Sequence, residues 1–340
     1  MLDTPILTPF ATPPEPGSIQ RVAPGVLWLR FVLPFLLNHV NIYLIEDEGG
    51  WAAFDTGLAT DVSRQAWEAI FAGPLHGQRL TRIICSHFHP DHVGLVGWLT
   101  ERFQVPLHMP RTEFLMVRVL ENPTVAANPH FYNERGLTTE AGGRVAGDGH
   151  GYLRLVTGLP NHYHRLAAGQ TLRIGGRDWQ ITTGGGHAPE QAVLHCPSDN
   201  IFLAADQILQ RISPNISVQS MEPDANPLGE YLTSLAEIAA AIPPATLTLP
   251  GHGIPFTGLQ TRIAELSHHH ETRCELIAHA ARAEPRTAAD LLPILFKREM
   301  DAHQTGFAFG EVLAHINYMR ARNELTQFRE SDGMLRVRTI

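Results

Sequence analysis

The chain has 340 residues, a length that corresponds to roughly two domains. Hydrophobic residues make up 44% of it and charged residues 18%, proportions that exclude a disordered or fibrous protein. The longest apolar stretch, residues 31–37, contains Pro34 and is far shorter than the roughly 20 residues of a membrane span. The N-terminus lacks a basic region followed by an apolar run, so we expect a cytoplasmic protein without a signal peptide or membrane span.

The formal net charge is −8, and its distribution is uneven. From Glu271 onward ten basic and ten acidic residues balance, which leaves 16 basic against 24 acidic residues in positions 1–270. This excess argues against a chain built mainly to bind nucleic acid. The three scattered cysteines, Cys85, Cys196 and Cys274, exclude a disulfide framework. The 19 histidines nearly equal the 26 lysines and arginines in number, which directs attention to a metal site.

The first half of the chain begins with a proline-rich stretch, residues 1–18, which we expect to form an extended arm. Hydrophobic periodicity then predicts strands at 26–32, 41–45, 51–55 and 82–85, and helices at 61–71, 95–103 and 111–121. Residues 122–165 show weak periodicity and are rich in Asn, Gly, His and Tyr. A stretch of this length is typical of a functional loop, and we predict a lid.

In the second half, strands are predicted at 171–174, 178–182, 192–195, 201–205 and 246–249, with a helix at 229–241 before the last of them. Helices are then predicted at 259–283, 287–296 and 309–322, followed by a strand at 335–339. Three helices and a terminal hairpin suggest a winged-helix-like appendage. We therefore divide the chain into an arm (1–18), a main domain (19–261) with its lid-like insertion (122–165), and a winged-helix-like domain (262–340).

One cluster of residues carries most of the chemical information: His87-Phe88-His89-Pro90-Asp91-His92, between a predicted strand and a predicted helix. In extended backbone, side chains two residues apart point to the same side, so His87 and His89 converge on one point. The turn toward the helix redirects Asp91 and His92. Imidazole and carboxylate ligands together suit Zn²⁺, with Fe or Mn as alternatives.

Further motifs follow in order, each at a predicted strand end: Phe54-Asp55-Thr56-Gly57, Gly184-Gly185-Gly186-His187, Ile201 to Asp206, and Leu249-Pro250-Gly251-His252-Gly253. Together with the histidine motif they resemble the metallo-β-lactamase fold superfamily over about residues 20–260. The resemblance implies an α/β fold, a four-layer αββα sandwich. Its hydroxyacylglutathione-hydrolase-like branch is the part of the superfamily that we expect.

The resemblance also implies two divalent metal ions and their ligands. It assigns His87, His89 and His187 to one ion, Asp91, His92 and His252 to a second, and Asp206 to a bridge between them. Asp55 has no place in this ligand set, so we expect it to accept the N–H of a ligand histidine and to fix its tautomer. No nucleotide-binding motif appears.

Several residues depart from the superfamily pattern or lie outside it. Glu190 and Gln191 follow the His187 motif and would place bulk and charge beside the pocket, and Ala205 stands where a glycine commonly precedes the bridging aspartate. Glutathione-binding relatives use basic residues near the C-terminus, whereas this chain has one lysine, Lys297. We expect core positions for Leu95, Trp98 and Leu99, a surface loop for 162–164 with substrate contact as the alternative, and a solvated helix face for 268–270.

These observations predict a metal-dependent hydrolase in which a hydroxide bridging the two ions attacks a thioester or ester carbonyl, while Asp91 orients it and relays its proton. A small-molecule substrate is the expected partner, and the oligomeric state is left open. Two alternatives remain: a two-metal nuclease that cleaves RNA, and a ligand-sensing regulator whose winged-helix-like tail binds DNA. A basic stripe would favour either, but the predicted recognition helix, 309–322, offers only Arg320 and Arg322.

Overall fold

A computed structural model describes residues 5–122, 128–147 and 150–340. Its first sheet has seven strands in chain order: β1 (Gln20–Ala23), β2 (Val26–Val32), β3 (His39–Asp47), β4 (Gly50–Phe54), β5 (Leu80–Ile84), β6 (Leu107–Pro110) and β7 (His164–Leu166). The strands β1 to β4 pair antiparallel, and β4 to β7 pair parallel. Parallel neighbours require crossover connections, and helices provide them.

The second sheet has the strand order β12-β11-β10-β9-β8, formed by β8 (Thr171–Ile174), β9 (Arg177–Gly184), β10 (Gln191–Cys196), β11 (Ile201–Ala205) and β12 (Leu247–Pro250). The pair β11 and β12 is parallel, so both strands end at the same edge of the sheet. A separate hairpin is formed by β13 (Leu325–Arg329) and β14 (Leu335–Thr339).

The helices are α1 (Asp61–Ala72), α2 (Pro90–Val93), α3 (Val96–Phe103), α4 (Arg111–Leu120), α5 (Pro129–Asn133), α6 (Thr139–Ala146), α7 (Pro227–Ala241), α8 (Leu259–Ala283), α9 (Ala288–Leu295) and α10 (Ala302–Ala321). A short 3₁₀ helix spans Leu153–Leu155. No helix within the described residues is long and apolar enough to cross a bilayer.

Side chains at alternate positions of the strands point to opposite faces of each sheet, and the buried ones form three hydrophobic cores. This arrangement confirms the predicted αββα layers. On β2, Trp28 faces the second sheet and packs near Trp179, whereas Leu29 faces outward toward Trp67 of α1. The second sheet is covered on its outer side by α7 to α10, for example by Phe309. Each large apolar side chain buried in this way contributes about 1.5–3 kcal/mol to stability.

Most predicted strands and helices occur at the predicted positions, and the main differences concern short elements. The prediction missed β1, β6, β7 and β13, which have three to five residues each and show little periodicity. The predicted helix at 95–103 is preceded by a separate turn of helix, α2. The helix predicted at 309–322 begins earlier, because Asp301 caps the N-terminus of α10.

The expectation that residues 122–165 lack regular structure was wrong for part of that stretch, and their role as a lid stays a prediction. It contains α5, α6 and the 3₁₀ helix, and its last residues enter the first sheet as β7. The side chains of Asn128 and Thr138 cap the N-termini of α5 and α6. The sequence analysis missed these two helices because their hydrophobic periodicity is weak. Residues 123–127 and 148–149 of this stretch lie outside the described residues, as do residues 1–4 of the predicted arm.

The N-terminal arm and the C-terminal region both pack against the main domain. Leu7 forms an antiparallel bridge with Thr257, so the arm residues that are described follow the surface of the main domain. The boundary predicted between residues 261 and 262 falls inside α8, a continuous helix. One core joins Phe202 of β11 to Val337 of β14, so this boundary and the winged-helix-like description stay predictions.

Candidate metal centre

The fold brings together all seven residues that the sequence predicted as metal ligands. They lie at the ends of four strands, β5, β9, β11 and β12, on one edge of the sandwich. His87 and His89 follow β5, and Asp91 and His92 form the first turn of α2. His187, Asp206 and His252 follow the other three strands. We call these seven residues the strand-end cluster: His87, His89, Asp91, His92, His187, Asp206 and His252.

Three histidines of this cluster point their ring nitrogens at one another. The Nδ1 atom of His89 lies 3.1 Å from Nε2 of His87 and 2.9 Å from Nε2 of His187. All three donor atoms lie within 4.8 Å of one another, which is the arrangement of ligands around a single cation.

A second set consists of Asp91, His92 and His252, whose donor atoms also lie within 4.8 Å of one another. Asp206 lies between the two sets. Its Oδ2 atom is 3.4 Å from Nε2 of His187 and 3.1 Å from Nε2 of His252. Its Oδ1 atom is 3.4 Å from Nε2 of His92. The carboxylate therefore faces both sets at once.

Two atoms of the cluster are buried without a hydrogen-bond partner: Nε2 of His92 and Oδ1 of Asp206. Leaving such groups unpaired is costly, and a bound cation would satisfy both. The donor set is mixed imidazole and carboxylate with no thiolate, which fits zinc, iron or manganese. The residues present therefore fit a transition-metal centre.

The electrostatics of the cluster favour positive charge. Burial and the neighbouring imidazoles lower the pKa of His89 to about 3, so its ring is neutral and has a free lone pair. At His252, burial acts in the same direction, but Asp206 and Asp91 outweigh it and raise the pKa to about 10. The two carboxylates thus attract a positive charge, which metal ions would supply in place of protons.

The αββα sandwich that carries this cluster is similar to a known superfamily of proteins. The family model of the metallo-beta-lactamase superfamily matches residues 37–259, and a model named metallo-beta-lactamase-like, C-terminal domain, matches residues 274–340. The chain belongs to the metallo-beta-lactamase superfamily. The more specific assignment to a hydroxyacylglutathione-hydrolase-like branch stays a prediction.

Similar proteins of this superfamily span nearly the whole chain. A beta-lactamase domain protein from Burkholderia ambifaria is 40% identical, with a TM-score of 0.93 over 98% of each chain. A metallo-beta-lactamase family protein from Thermus thermophilus is 27% identical, with a TM-score of 0.79 over 94% of this chain and 100% of that one. The probable metallo-hydrolase YqjP of Bacillus subtilis is 22% identical over 90% of this chain and 96% of its own length.

Asp55, which the sequence analysis placed behind the ligands, contacts them as that role requires. Its Oδ2 atom lies 2.8 Å from Nδ1 of His92, and its Oδ1 atom accepts the backbone N–H of Ser86 at 2.7 Å. The Ser86 hydroxyl bonds to Asp55 and lies 2.8 Å from Nδ1 of His87. One buried carboxylate thus orients a histidine from each set.

The loop that carries His252 is held by polar side chains that the sequence analysis missed. Asn41 donates to the carbonyl of Pro250 at 2.9 Å, and Tyr43 donates to the same carbonyl at 2.9 Å. The Arg30 guanidinium donates to the carbonyl of Gly253, and His252 donates from Nδ1 to the carbonyl of His39 at 2.6 Å. Polar residues at alternate positions of the otherwise apolar β3 were the signal in the sequence.

His187 is oriented by a residue from outside the predicted motifs. Its Nδ1 atom donates to the backbone carbonyl of Asn215 at 2.8 Å. The side chain of Asn215 donates to the carbonyl of Phe307 in α10 at 3.2 Å. A helix of the C-terminal region therefore supports the loop that fixes a ligand candidate, a contact between distant segments that no local pattern indicates.

The remaining predictions have mixed outcomes. The expectation that Glu190 and Gln191 place bulk and charge beside the pocket stays a prediction. Glu190 accepts the N–H of Thr112, and Gln191 is buried and donates to Gln207. Ala205 is buried with φ 43°, in the left-handed region that favours glycine, which fits the expectation that a glycine would suit this position.

Burial and ring stacking show where the predicted core residues and the remaining histidines lie. Leu95 and Leu99 are buried and Trp98 packs against their core, which confirms the core assignment. His164 belongs to β7 and stacks on His108, whereas Tyr163 stacks on Phe114 at 4.1 Å. The prediction that residues 268–270 form a solvated face was wrong for His270, which is fully buried beneath α10.

Proposed function

We propose that this protein is a metal-dependent hydrolase that cleaves a thioester or ester of a small molecule at a site for two divalent cations. One observation carries the proposal: the Asp206 carboxylate lies between two complete ligand sets and faces both. A carboxylate with this placement is suited to bridging two cations, and it is buried without any arginine or lysine that would neutralise it within the described ion pairs.

The ligands divide between the two cations as the superfamily resemblance implies. His87, His89 and His187 would hold one, and Asp91, His92 and His252 would hold the other. Zinc is the metal we propose first, with iron or manganese as the alternatives. When bound, the pair would acidify a water molecule and stabilise negative charge on the substrate oxygen and leaving group.

The chain itself supplies proton transfer and orientation. Among the two carboxylates of the cluster, Asp91 is the more exposed, with 20% of its side chain accessible. Its Oδ2 atom lies 3.3 Å from Nε2 of His252, so the side chain is held in place although it is partly exposed. We assign Asp91 to orient the attacking water and to accept its proton, a role that contributes about 10²–10⁴-fold in rate.

The choice of a carbonyl substrate over a nucleic acid is supported by charge and burial. Residues 1–270 carry 24 acidic against 16 basic residues, which disfavours a long phosphate backbone. Most residues of α10 between Ala308 and Met319 are buried, so the helix considered above for DNA recognition has little surface to offer a groove. Within carbonyl chemistry, the thioester or ester class rests on the superfamily resemblance.

The test combines metal analysis with a substrate panel. Protein purified without chelator would be analysed for metal and assayed on an acyl thioester, an aryl ester, a lactone, a β-lactam and single-stranded RNA. We expect bound metal and turnover of a thioester or ester, with the Asp91→Asn variant as the control for contaminating enzymes. Absence of metal after adding Zn²⁺, Fe²⁺ or Mn²⁺, or RNA cleavage that the variant loses without any acyl hydrolysis, would contradict the proposal.

A further inference from the structure

A buried carboxylate in the first turn of α4, that of Glu113, contacts two segments that carry ligand candidates. Its Oε2 atom accepts the backbone N–H of Phe88 at 3.0 Å, and its Oε1 atom accepts the backbone N–H of Glu190 at 2.6 Å. Phe88 lies between His87 and His89, and Glu190 lies three residues after His187. One side chain thus spans the two segments from which the three-histidine set is built.

The contact is reciprocal. Glu190 accepts the backbone N–H of Thr112 with its Oε2 atom at 2.8 Å. This N–H belongs to the first turn of α4, where amide groups have no partner inside the helix. Helix α4 therefore supplies a carboxylate to the His187 segment and receives one from it. The Tyr152 hydroxyl donates to the carbonyl of Phe88 at 2.7 Å, so both backbone polar groups of Phe88 are fixed by side chains.

The two backbone N–H contacts explain why a carboxylate stands at position 113, because its surroundings offer no other polar partner among the described ion pairs. The residue has 0% exposure, and no lysine, arginine or histidine pairs with it among the ion pairs of the described residues. A buried carboxylate is expensive unless its oxygens are hydrogen-bonded, and here each oxygen receives one amide. An apolar side chain would fill the space but would leave two buried N–H groups without acceptors.

We propose that Glu113 is a positioning residue: by accepting one N–H from each segment, it sets the separation of His87 and His89 from His187. It thereby tunes the affinity and coordination geometry of the cation that these histidines hold. This inference rests on the proposed metal-dependent function. Nitrogen atoms of the set lie only 2.9–3.1 Å apart, so a small shift of either segment changes the coordination.

The test is the Glu113→Gln variant, which keeps size but changes acceptors. A glutamine offers one carbonyl oxygen and one NH₂ group, so it satisfies one of the two N–H donors and directs its own donor at the other. We expect the affinity for the first equivalent of Zn²⁺, measured by competition with a chelating dye, to fall about 10- to 100-fold. We also expect altered d–d absorption bands after Co²⁺ substitution, which a general loss of stability would not produce.

Asp47→Asn is the matched control. Asp47 is also a buried carboxylate that joins two segments, because it accepts the N–H of Gly175 at 3.0 Å and the hydroxyl of Thr81 at 2.7 Å. It lies at the opposite end of β3 from His39, roughly 26 Å away at about 3.3 Å per residue. The variant should lose stability while keeping wild-type Zn²⁺ affinity and the wild-type Co²⁺ spectrum.

The outcomes separate this inference from the proposed function. Wild-type protein that binds no metal would overturn both. Wild-type binding with equal affinities and spectra for Glu113→Gln and Asp47→Asn would overturn only the role of Glu113. Should Glu113→Gln fail to fold, Glu113→Asp keeps the carboxylate on a side chain that is one methylene shorter and cannot reach both N–H groups at their present separation, and we expect a smaller loss of Zn²⁺ affinity with a changed Co²⁺ spectrum. Wild-type values in that variant would equally overturn the role.

Discussion

Two groups of histidines within the described residues place donor atoms close together, and we expect only one of them to hold a cation. Besides the strand-end cluster, α8 and α10 bring together His269, His270 and Glu311, whose donor atoms also lie within 4.8 Å of one another. In this helical cluster, His315 donates to the carbonyl of Glu311 at 2.7 Å and lies 3.2 Å from Nδ1 of His270. Arg273 forms an ion pair with the Glu311 carboxylate.

The difference between the clusters is charge. In the strand-end cluster, Asp91 and Asp206 pair only with histidines among the described ion pairs. In the helical cluster, an arginine already neutralises the single carboxylate, and burial keeps the histidines neutral. Proximity of donor atoms is therefore common to both, whereas negative charge that no arginine or lysine compensates distinguishes the strand-end cluster.

The largest effect is expected for His89→Ala. The change removes a donor nitrogen from the three-histidine set, so metal content and turnover should fall together, with kcat/KM lower by at least about 100-fold. The matched control is His268→Ala, which removes an exposed imidazole from α8 and should keep both values. Equal metal content and equal kcat/KM in the two variants would show that the strand-end cluster was misassigned.

Asp91→Asn should separate catalysis from binding. The amide keeps the size and one oxygen but cannot accept a proton, so kcat should fall about 10²–10⁴-fold. The three-histidine set does not include Asp91, and elemental analysis should still find at least one metal equivalent. A variant with near wild-type kcat would remove Asp91 from the proton-transfer role.

A smaller effect concerns pH and the helical cluster. Burial and neighbouring His315 lower the pKa of His270 to about 2, and burial lowers that of His315 to about 3. Because the unfolded chain binds protons near pH 6.5 and the folded one does not, the free energy of unfolding should fall as pH drops from 6.5 toward 3. The slope is about 1.4 kcal/mol per pH unit for each histidine.

Denaturant unfolding of chelator-treated protein at several pH values measures this slope. The His315→Gln variant has one fewer titrating histidine and should show a shallower decrease below pH 6.5. An identical slope in wild type and variant would mean that the helical cluster does not remain neutral on acidification.

The strand-end cluster was predictable from the sequence because its residues lie in short motifs, each at the end of a predicted strand. These motifs, beginning with the one around His87, follow one another in the order that the superfamily resemblance implies. The residues that hold these motifs were not predictable in the same way. Asn215 and Glu113 act across long sequence separations, and neither lies in a periodic or repeated pattern. Their roles depend on how α4 and α10 dock, which is a tertiary property.

The error at His270 has the same origin. Three consecutive histidines on a helix point in different directions, so a solvated face was a reasonable expectation from α8 alone. The structure covers one side of that helix with α10 and Tyr231 of α7, and His270 is enclosed between them. Short strands such as β6 and β7 were missed because three or four residues carry too little periodicity.

We expect the strand-end cluster, and not the helical one, to bind metal. Chelator-treated wild type, Asp206→Asn and His270→Ala would be titrated with Zn²⁺ by calorimetry, with elemental analysis of the bound metal. We expect two equivalents for wild type and for His270→Ala, and no more than one tightly bound equivalent for Asp206→Asn, which loses the charge of the carboxylate between the two sets. Two tightly bound equivalents in Asp206→Asn, or a loss of metal in His270→Ala, would contradict this expectation.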